Sequence, residues 1–199
     1  LMWQRSMGAK MTMQEARRKA GQADLGGHDD WRIPTVTELY SLILFTGQLR
    51  GPTPVKMFID TRYFEQPLGD AARGERPFDA QTWSATGYAG RTMNNDRSIF
   101  GVNFVDGRVK AYPETDPRTR RPTRMYFRLV RGNVNYGDNS FVSNDDGTVT
   151  DRASGLMWAK DDSKAGMDWR SALAYCEAMQ LAGFGDWRLP DAKELQTIV

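Results

Sequence analysis

One segment occurs twice in the chain: Asp30-Trp31-Arg32-Ile33-Pro34-Thr35-Val36-Thr37-Glu38-Leu39 and Asp186-Trp187-Arg188-Leu189-Pro190-Asp191-Ala192-Lys193-Glu194-Leu195. In each copy a proline precedes a short polar residue, Thr35 or Asp191, and a glutamate follows three positions later. That is a capping box. The first side chain accepts from an orphan helix amide, and the glutamate reaches back to the cap's own amide. Val36, Leu39, Tyr40 and Ile43 then recur at helical spacing, which turns one face of the predicted helix inward. The Asp-Trp-Arg lead-in reads as a short extended piece with a buried indole. The segment is thus a structural keystone, not a catalytic motif.

The duplication extends beyond the keystone. Leu1-Met2-Trp3 matches Leu156-Met157-Trp158, and after a one-residue adjustment residues 11–43 align with 167–199 without a gap. The spacing of 156 residues between Met11 and Met167 is domain-sized and too long for a solenoid. The chain therefore reads as one nearly complete unit over 1–132, a linker over 133–140, and the opening portion of a second unit over 141–199. Because it starts inside that motif, the natural N-terminus is expected upstream.

Each unit should open with a helix, near 13–24 and 169–180. Thr12 with Glu15 forms a further capping box, and Asp168 caps the second copy. Trp169, Ala172, Leu173, Cys176 and Met179 make an inward stripe. In the first copy the stripe is thinner (Met13, Ala16, Ala20), with Arg17, Arg18 and Lys19 outside. Gly27 and Gly183 stand where helix-terminating glycines are expected.

Residues 46–81 are broken by glycine and proline and read as loop, with a task or an order imposed by packing. Thr82–Thr86 reads as a strand and 88–98 as a polar loop. Phe100–Val105 and Arg108–Tyr112 flank Asp106-Gly107, which predicts a hairpin with a type I′ turn and Phe100, Val102 and Phe104 on one face. Met125–Arg131 is a predicted closing strand. A second hairpin, 141–143 with 148–150, surrounds Asn144-Asp145-Asp146-Gly147; that run also invites a calcium reading, but it lacks EF-hand spacing. Early helices followed by short antiparallel strands make an α+β pattern.

Charge and rare residues narrow the chemistry. The net charge of +2 hides an asymmetry. Residues 1–132 carry 21 Lys/Arg against 14 Asp/Glu, and residues 133–199 carry 6 against 11. A basic first unit attracts anionic ligands. No apolar run is long enough to span a membrane. One cysteine, Cys176, and one histidine, His28, exclude a cysteine metal site, a disulfide within the chain and a Ser-His-Asp triad repeated in both units. No cofactor is expected.

Several motifs, in order, carry a family likeness: Trp-Ser-Ala-Thr (83–86), Arg-Leu-Val-Arg-Gly (128–132), Gly-Thr-Val-Thr-Asp (147–151), Gly-Leu-Met-Trp (155–158), and Leu-Ala-Gly-Phe-Gly-Asp-Trp-Arg-Leu-Pro with Glu-Leu (181–195). Together they are similar to the Lcl C-terminal domain family, a domain of largely unknown function named for a bacterial collagen-like adhesin. More distantly, Arg-Leu-Pro-x-x-x-Glu and Phe-Arg-Leu-Val-Arg resemble the formylglycine-generating branch of the C-type-lectin-like fold. The resemblance implies two helices packed on small antiparallel sheets, long irregular loops that carry ligand specificity, and a bacterial extracellular, cell-surface or periplasmic setting. Family members often place cysteines at the end of the first helix and in the closing strand. Here Ala20 and Leu129 stand at those places, and Cys176 corresponds to Ala20.

The functional expectation is a non-enzymatic binding module. Candidate ligand contacts are Tyr88, Arg91, Asn94, Asn95 and Arg97 in one loop, where aromatic, amide and guanidinium groups mix. Arg118, Arg120, Arg121 and Arg124 form a basic run suited to sulfate or phosphate groups. A glycan, a sulfated polyanion or a protein would be the partner; no base-reading motif points to specific nucleic acid. Homo-oligomerisation stays open. An oxidase related to formylglycine-generating enzymes and a structural spacer are the alternatives.

Overall fold

The computed structural model describes residues 1–49 and 55–198, with Met93 described through its backbone only. Residues 50–54 of the glycine- and proline-rich stretch, and Val199, lie outside the described residues. The chain divides into two compact units, Leu1–Tyr136 and Gly137–Val199.

The first unit is α+β. Its elements are β1 (Met2–Trp3), α1 (Met13–Ala20), α2 (Val36–Ser41), β2 (Thr82–Gly87), β3 (Ser98–Asn103), β4 (Arg108–Pro113) and β5 (Val130–Arg131). β2, β3 and β4 form an antiparallel sheet in that order, and β1 pairs with β5.

α1 starts where its capping box dictates: Glu15 accepts from the Thr12 amide at 2.8 Å, and Thr12 accepts from the Glu15 amide at 3.2 Å. Met13, Ala16 and Ala20 pack on Trp31, Trp83, Met125 and Leu129. The helix stops at Ala20, earlier than the predicted 24, and Gly27 does not terminate it. Gly27 (φ 76°) instead serves a tight turn in which Leu25 and His28 exchange backbone bonds at 3.0 and 3.2 Å. The turn presents Leu25 O to the Trp31 indole N–H at 3.1 Å. The glycine is needed to aim the indole, which is why it follows the helix by several residues.

α2 carries the keystone. Thr35 and Glu38 cap reciprocally at 3.1 and 2.8 Å. Glu38 also accepts a bidentate pair from Arg32, Nη1 to Oε2 at 2.7 Å and Nη2 to Oε1 at 2.5 Å, and is fully buried. The Arg32 backbone exchanges bonds with Val130 at 2.9 and 3.0 Å. One short segment therefore ties a helix start to the closing strand, while Leu39 and Ile43 drive α2 into Ile59, Val102 and Phe104.

β3 departs from the one-sided alternation expected of it. Val102 and Phe104 enter one cluster as predicted, but Ile99 enters the other, and Gly101 and Asn103 are buried too. As the middle strand it is covered on both faces. A Cβ at Gly101 would stand 2.8 Å from Thr82 O, so only glycine permits this strand spacing. The hairpin is not a two-residue type I′ turn. Asn103 pairs with Arg108 across a four-residue loop in which Gly107 (φ 74°), and not Asp106, takes positive φ. Asn103 dictates this shape: its side chain accepts from the Val105 amide at 3.0 Å and donates to Phe78 O at 2.7 Å.

The described part of 46–81 is ordered by packing. Ile59 and Ala80 are fully buried or nearly so, and Phe58 bonds Phe104 O through its amide at 2.7 Å. The closing segment is a regular strand only at Val130–Arg131; Met125 bridges Met11 and Tyr126 bridges Thr82. Its buried Arg128 donates to the carbonyls of Gln4, Arg5 and Glu65 and lies 4.9 Å from the Phe64 ring centre. Burial pushes this guanidinium down to about 10.

The second unit contains β6 (Phe141–Ser143), β7 (Thr148–Asp151), β8 (Leu156–Ala159), α3 (Trp169–Glu177) and α4 (Ala192–Thr197), with sheet order β6-β7-β8. Asn144 donates to Thr148 and Thr150 hydroxyls, and Asp146 accepts from the Thr148 amide at 3.0 Å, bracing the predicted hairpin turn. Asp151 accepts from the Ser140 and Ala153 amides and from Ser154 and Asn139 side chains, which holds its carboxyl far below the usual range. α3 again ends early, and Gly183 lies in a Leu181–Phe184 turn that serves the Trp187 indole. The expected inward stripe of α3 fails at Trp169, which is 69% exposed where Met13 of the first unit is 3%. Met13 is covered by Trp83 and Met125; residues 137–198 hold no counterpart of either.

Arg188 and Glu194 repeat the bidentate pair, and the Asp191 amide donates to Glu194 at 2.9 Å. The Arg188 guanidinium, then the Asp191 amide, hold the Glu194 carboxyl at about 2 against an ordinary 4.5. A depressed acid contributes stability above its unfolded value and loses it as pH falls through the folded one. Carboxyl NMR of Glu194 should therefore give a midpoint near 2, with α4 losing helical shifts between pH 4.5 and about 2. A midpoint near 4.5 would contradict the pair.

Candidate functional site

The antiparallel order of β2, β3 and β4 places three strand ends together: Gly87 pairs with Ile99, and Ser98 pairs with Pro113. The β2–β3 loop and the segment after β4 therefore emerge from one end of the sheet. Backbone bonds then join them, Glu114 N to Arg97 O at 3.1 Å and Thr123 N to Glu114 O at 2.9 Å. Two groups of residues that are only separate stretches in sequence become one edge.

The first loop is closed by its own bonds. Tyr88 N donates to Ser98 O at 2.9 Å, Thr92 N to Asp96 O at 3.2 Å, and the Thr92 and Ser98 hydroxyls lie 2.6 Å apart. Asn94 and Asn95 take φ of 65° and 59°, a left-handed geometry that asparagine tolerates better than most residues. Tyr88 meets Phe100 edge-on at 5.6 Å and remains 42% exposed. Arg91, Asn94, Asn95 and Arg97 are exposed.

The second loop is built around Asp116. Its carboxylate accepts from the Arg118 and Thr119 amides at 2.9 and 2.7 Å, and the hydrogen bonds, that from Thr119 first, hold its pKa below the usual carboxylate range. Its backbone bonds Arg121 O and the Arg120 amide, both at 2.8 Å, with Arg120 at φ 56°. Arg118, Arg120 and Arg121 project exposed from this knot. Arg124 differs: it pairs with Glu15 of α1 at 3.0 Å. Among the described residues no ion pair engages Arg91, Arg97, Arg118, Arg120 or Arg121. Such an edge offers unneutralised guanidinium groups, an aromatic face and two amides on fixed backbone.

Other singled-out residues sit elsewhere. Trp83 is fully buried and donates to Met11 O at 2.9 Å, so it is core and not an exposed stacking platform. Ala20 and Leu129 share one buried cluster. His28 lies in the tight turn before Trp31. Among the described residues no group of three His, Cys, Asp or Glu could hold a metal ion, and no helix is long and apolar enough to cross a membrane.

A cleft of about 580 Å³ lies in the second unit between β8, α3 and the Trp187–Pro190 segment, with Cys176 in its wall. Its apolar residues were legible as inward-facing; that they stand uncovered was not.

The family model of the Lcl C-terminal domain matches residues 1–131 and 147–199, spanning both keystone segments and the closing strand. No curated protein and no solved structure matches the chain. The chain belongs to the Lcl C-terminal domain family.

Proposed function

We propose that this chain is a non-enzymatic binding module of a secreted or cell-surface bacterial protein, with a C-type-lectin-like architecture whose loops take up ligand. The ligand is a polyanion, of which a sulfated polysaccharide is the working example. The observation that carries this reading is the meeting of Arg91, Arg97, Arg118, Arg120 and Arg121 at one end of the sheet, exposed and without ion pairs among the described residues. Guanidinium forks match sulfate and phosphate oxygens bidentately. The loops are already closed by internal bonds, so little ordering opposes binding. Tyr88 supplies a flat face for a sugar ring beside those charges.

Titration with a sulfated polysaccharide and its desulfated form at two salt concentrations tests this. Binding should need the sulfates and weaken as salt rises. Replacing Arg120 and Arg121 by alanine should lower affinity about three- to tenfold, since each exposed charge contact contributes a few tenths to about 1 kcal/mol. Equal binding of both polymers, or binding indifferent to the two arginines, would refute the polyanion reading.

A further inference from the structure

One edge of the first unit's three-stranded sheet is covered and the other is open. On β2 the outward groups are taken: Trp83 N donates to Tyr126 O at 2.8 Å and Ala85 N to Pro34 O at 2.7 Å. β4 is the opposite edge. Which of its groups face outward follows from β3. Tyr88 N donates to Ser98 O and the Ser84 hydroxyl to Phe100 O, so those carbonyls point to β2. Backbone groups alternate sides along a strand, so those of Ile99, Gly101 and Asn103 point to β4 and meet their register partners Tyr112, Lys110 and Arg108. Val109, Ala111 and Pro113 are left facing away from the sheet.

Among the described residues no backbone group meets those three from the outer side, and beyond Pro113 the Thr123 amide closes the edge on Glu114 O. In the second unit the strand before the Leu-Met-Trp motif, β7, pairs with β8. A corresponding strand of the first unit belongs beside β1, so the opening at β4 does not depend on it. Arg108 and Lys110 are exposed on one face of β4, while Val109 and Ala111 are half-buried on the other. Among the described residues Lys110 has no ion pair, and Arg108 has only Asp106, at 3.7 Å. A second copy laid antiparallel on this edge, with Val109 paired to Ala111, would set Lys110 against its own copy. Like charges directly opposite oppose that pairing.

We propose that the β4 edge takes up, as an added strand, an extended segment of alternating acidic and apolar residues from a protein partner. Open edges are templates for strand addition, with backbone bonds giving affinity and alternate side chains giving specificity. Carboxylates opposite Arg108 and Lys110 pair with them, and the apolar residues between continue the half-buried row of Val109 and Ala111. The site uses neither of the arginine loops on which the polyanion reading rests.

The test titrates a capped peptide of alternating valine and glutamate, with valine at both ends, into the full chain and follows amide hydrogen exchange. Saturable binding is expected, with slowed exchange at Val109 and Ala111 and no change at Lys110 and Tyr112, which β3 already holds. N-methylation of the peptide's valines, and Lys110→Glu in the protein, should each weaken binding about tenfold. Replacing Arg120 and Arg121 by alanine should leave it unchanged, which separates this edge from the polyanion site. No saturation, unslowed exchange at Val109 and Ala111, or undiminished binding of the N-methyl peptide would overturn strand addition. Undiminished binding to the Lys110→Glu chain, or a dimer with both amides protected before peptide is added, would overturn the acidic occupant.

Discussion

Trp83→Ala is expected to destabilise the first unit by about 3–5 kcal/mol. The indole is fully buried at the centre of the cluster formed by α1, Trp31, Ile99 and the closing segment. Truncation removes its apolar surface and leaves a cavity that surrounding elements cannot all collapse into, because each is fixed by its own backbone bonds. It also removes the indole donor from Met11 O, at 2.9 Å, and leaves that carbonyl the Met125 amide alone at 3.0 Å; losing one buried hydrogen bond adds to the cost. Urea unfolding of the first unit, followed by the NMR signals of the Trp31 indole N–H and of the backbone, should shift together. A loss under 1 kcal/mol would mean that Trp83 is not the core residue its burial makes it.

Glu38→Ala follows with a loss of about 3 kcal/mol. Glu38 is fully buried, caps α2 through the Thr35 amide and takes both forks of Arg32. Removing it leaves the Arg32 guanidinium only the Asn133 carbonyl, at 3.4 Å, and frees the Thr35 amide at the helix start. Arg32 keeps 27% side-chain exposure, so water relieves part of the penalty and the lower end of the buried-pair range applies. Glu38→Gln retains length and one acceptor and should lose less. The equivalent Glu194→Ala should lose less again, since Arg188 is 60% exposed.

Local rules explain what was readable in the sequence. Capping boxes at Thr12, Thr35 and Asp191 depend only on residues three apart, and all three form. The apolar stripes of α1 and α2 likewise need nothing distant. The departures from those local rules depend on partners outside the local window. Gly27 predicts a helix that runs from 13 to 24, whereas that glycine answers to the Trp31 indole. Asp106-Gly107 predicts a two-residue β3–β4 turn, whereas Asn103 and its contact with Phe78 O decide the loop. Periodicity puts Trp169 on the inward stripe of α3 but does not say what covers it, and it is exposed.

The candidate edge was legible residue by residue but not as one place. Nothing in the spacing of Tyr88–Arg97 and Arg118–Arg121 says that Glu114 bonds Arg97; strand order does. Arg124 shows the reverse limit. Its neighbours in sequence are exposed arginines, yet Glu15, far earlier in the chain, claims it.

The account rests on the Arg32–Glu38 pair fastening α2 to the closing strand, and a double-mutant cycle over Arg32→Ala, Glu38→Ala and the double variant measures that fastening directly. A coupling energy of about 2 kcal/mol is predicted, within the range for partners in one buried network. Additivity within about 0.3 kcal/mol, as for residues that do not interact, would contradict it.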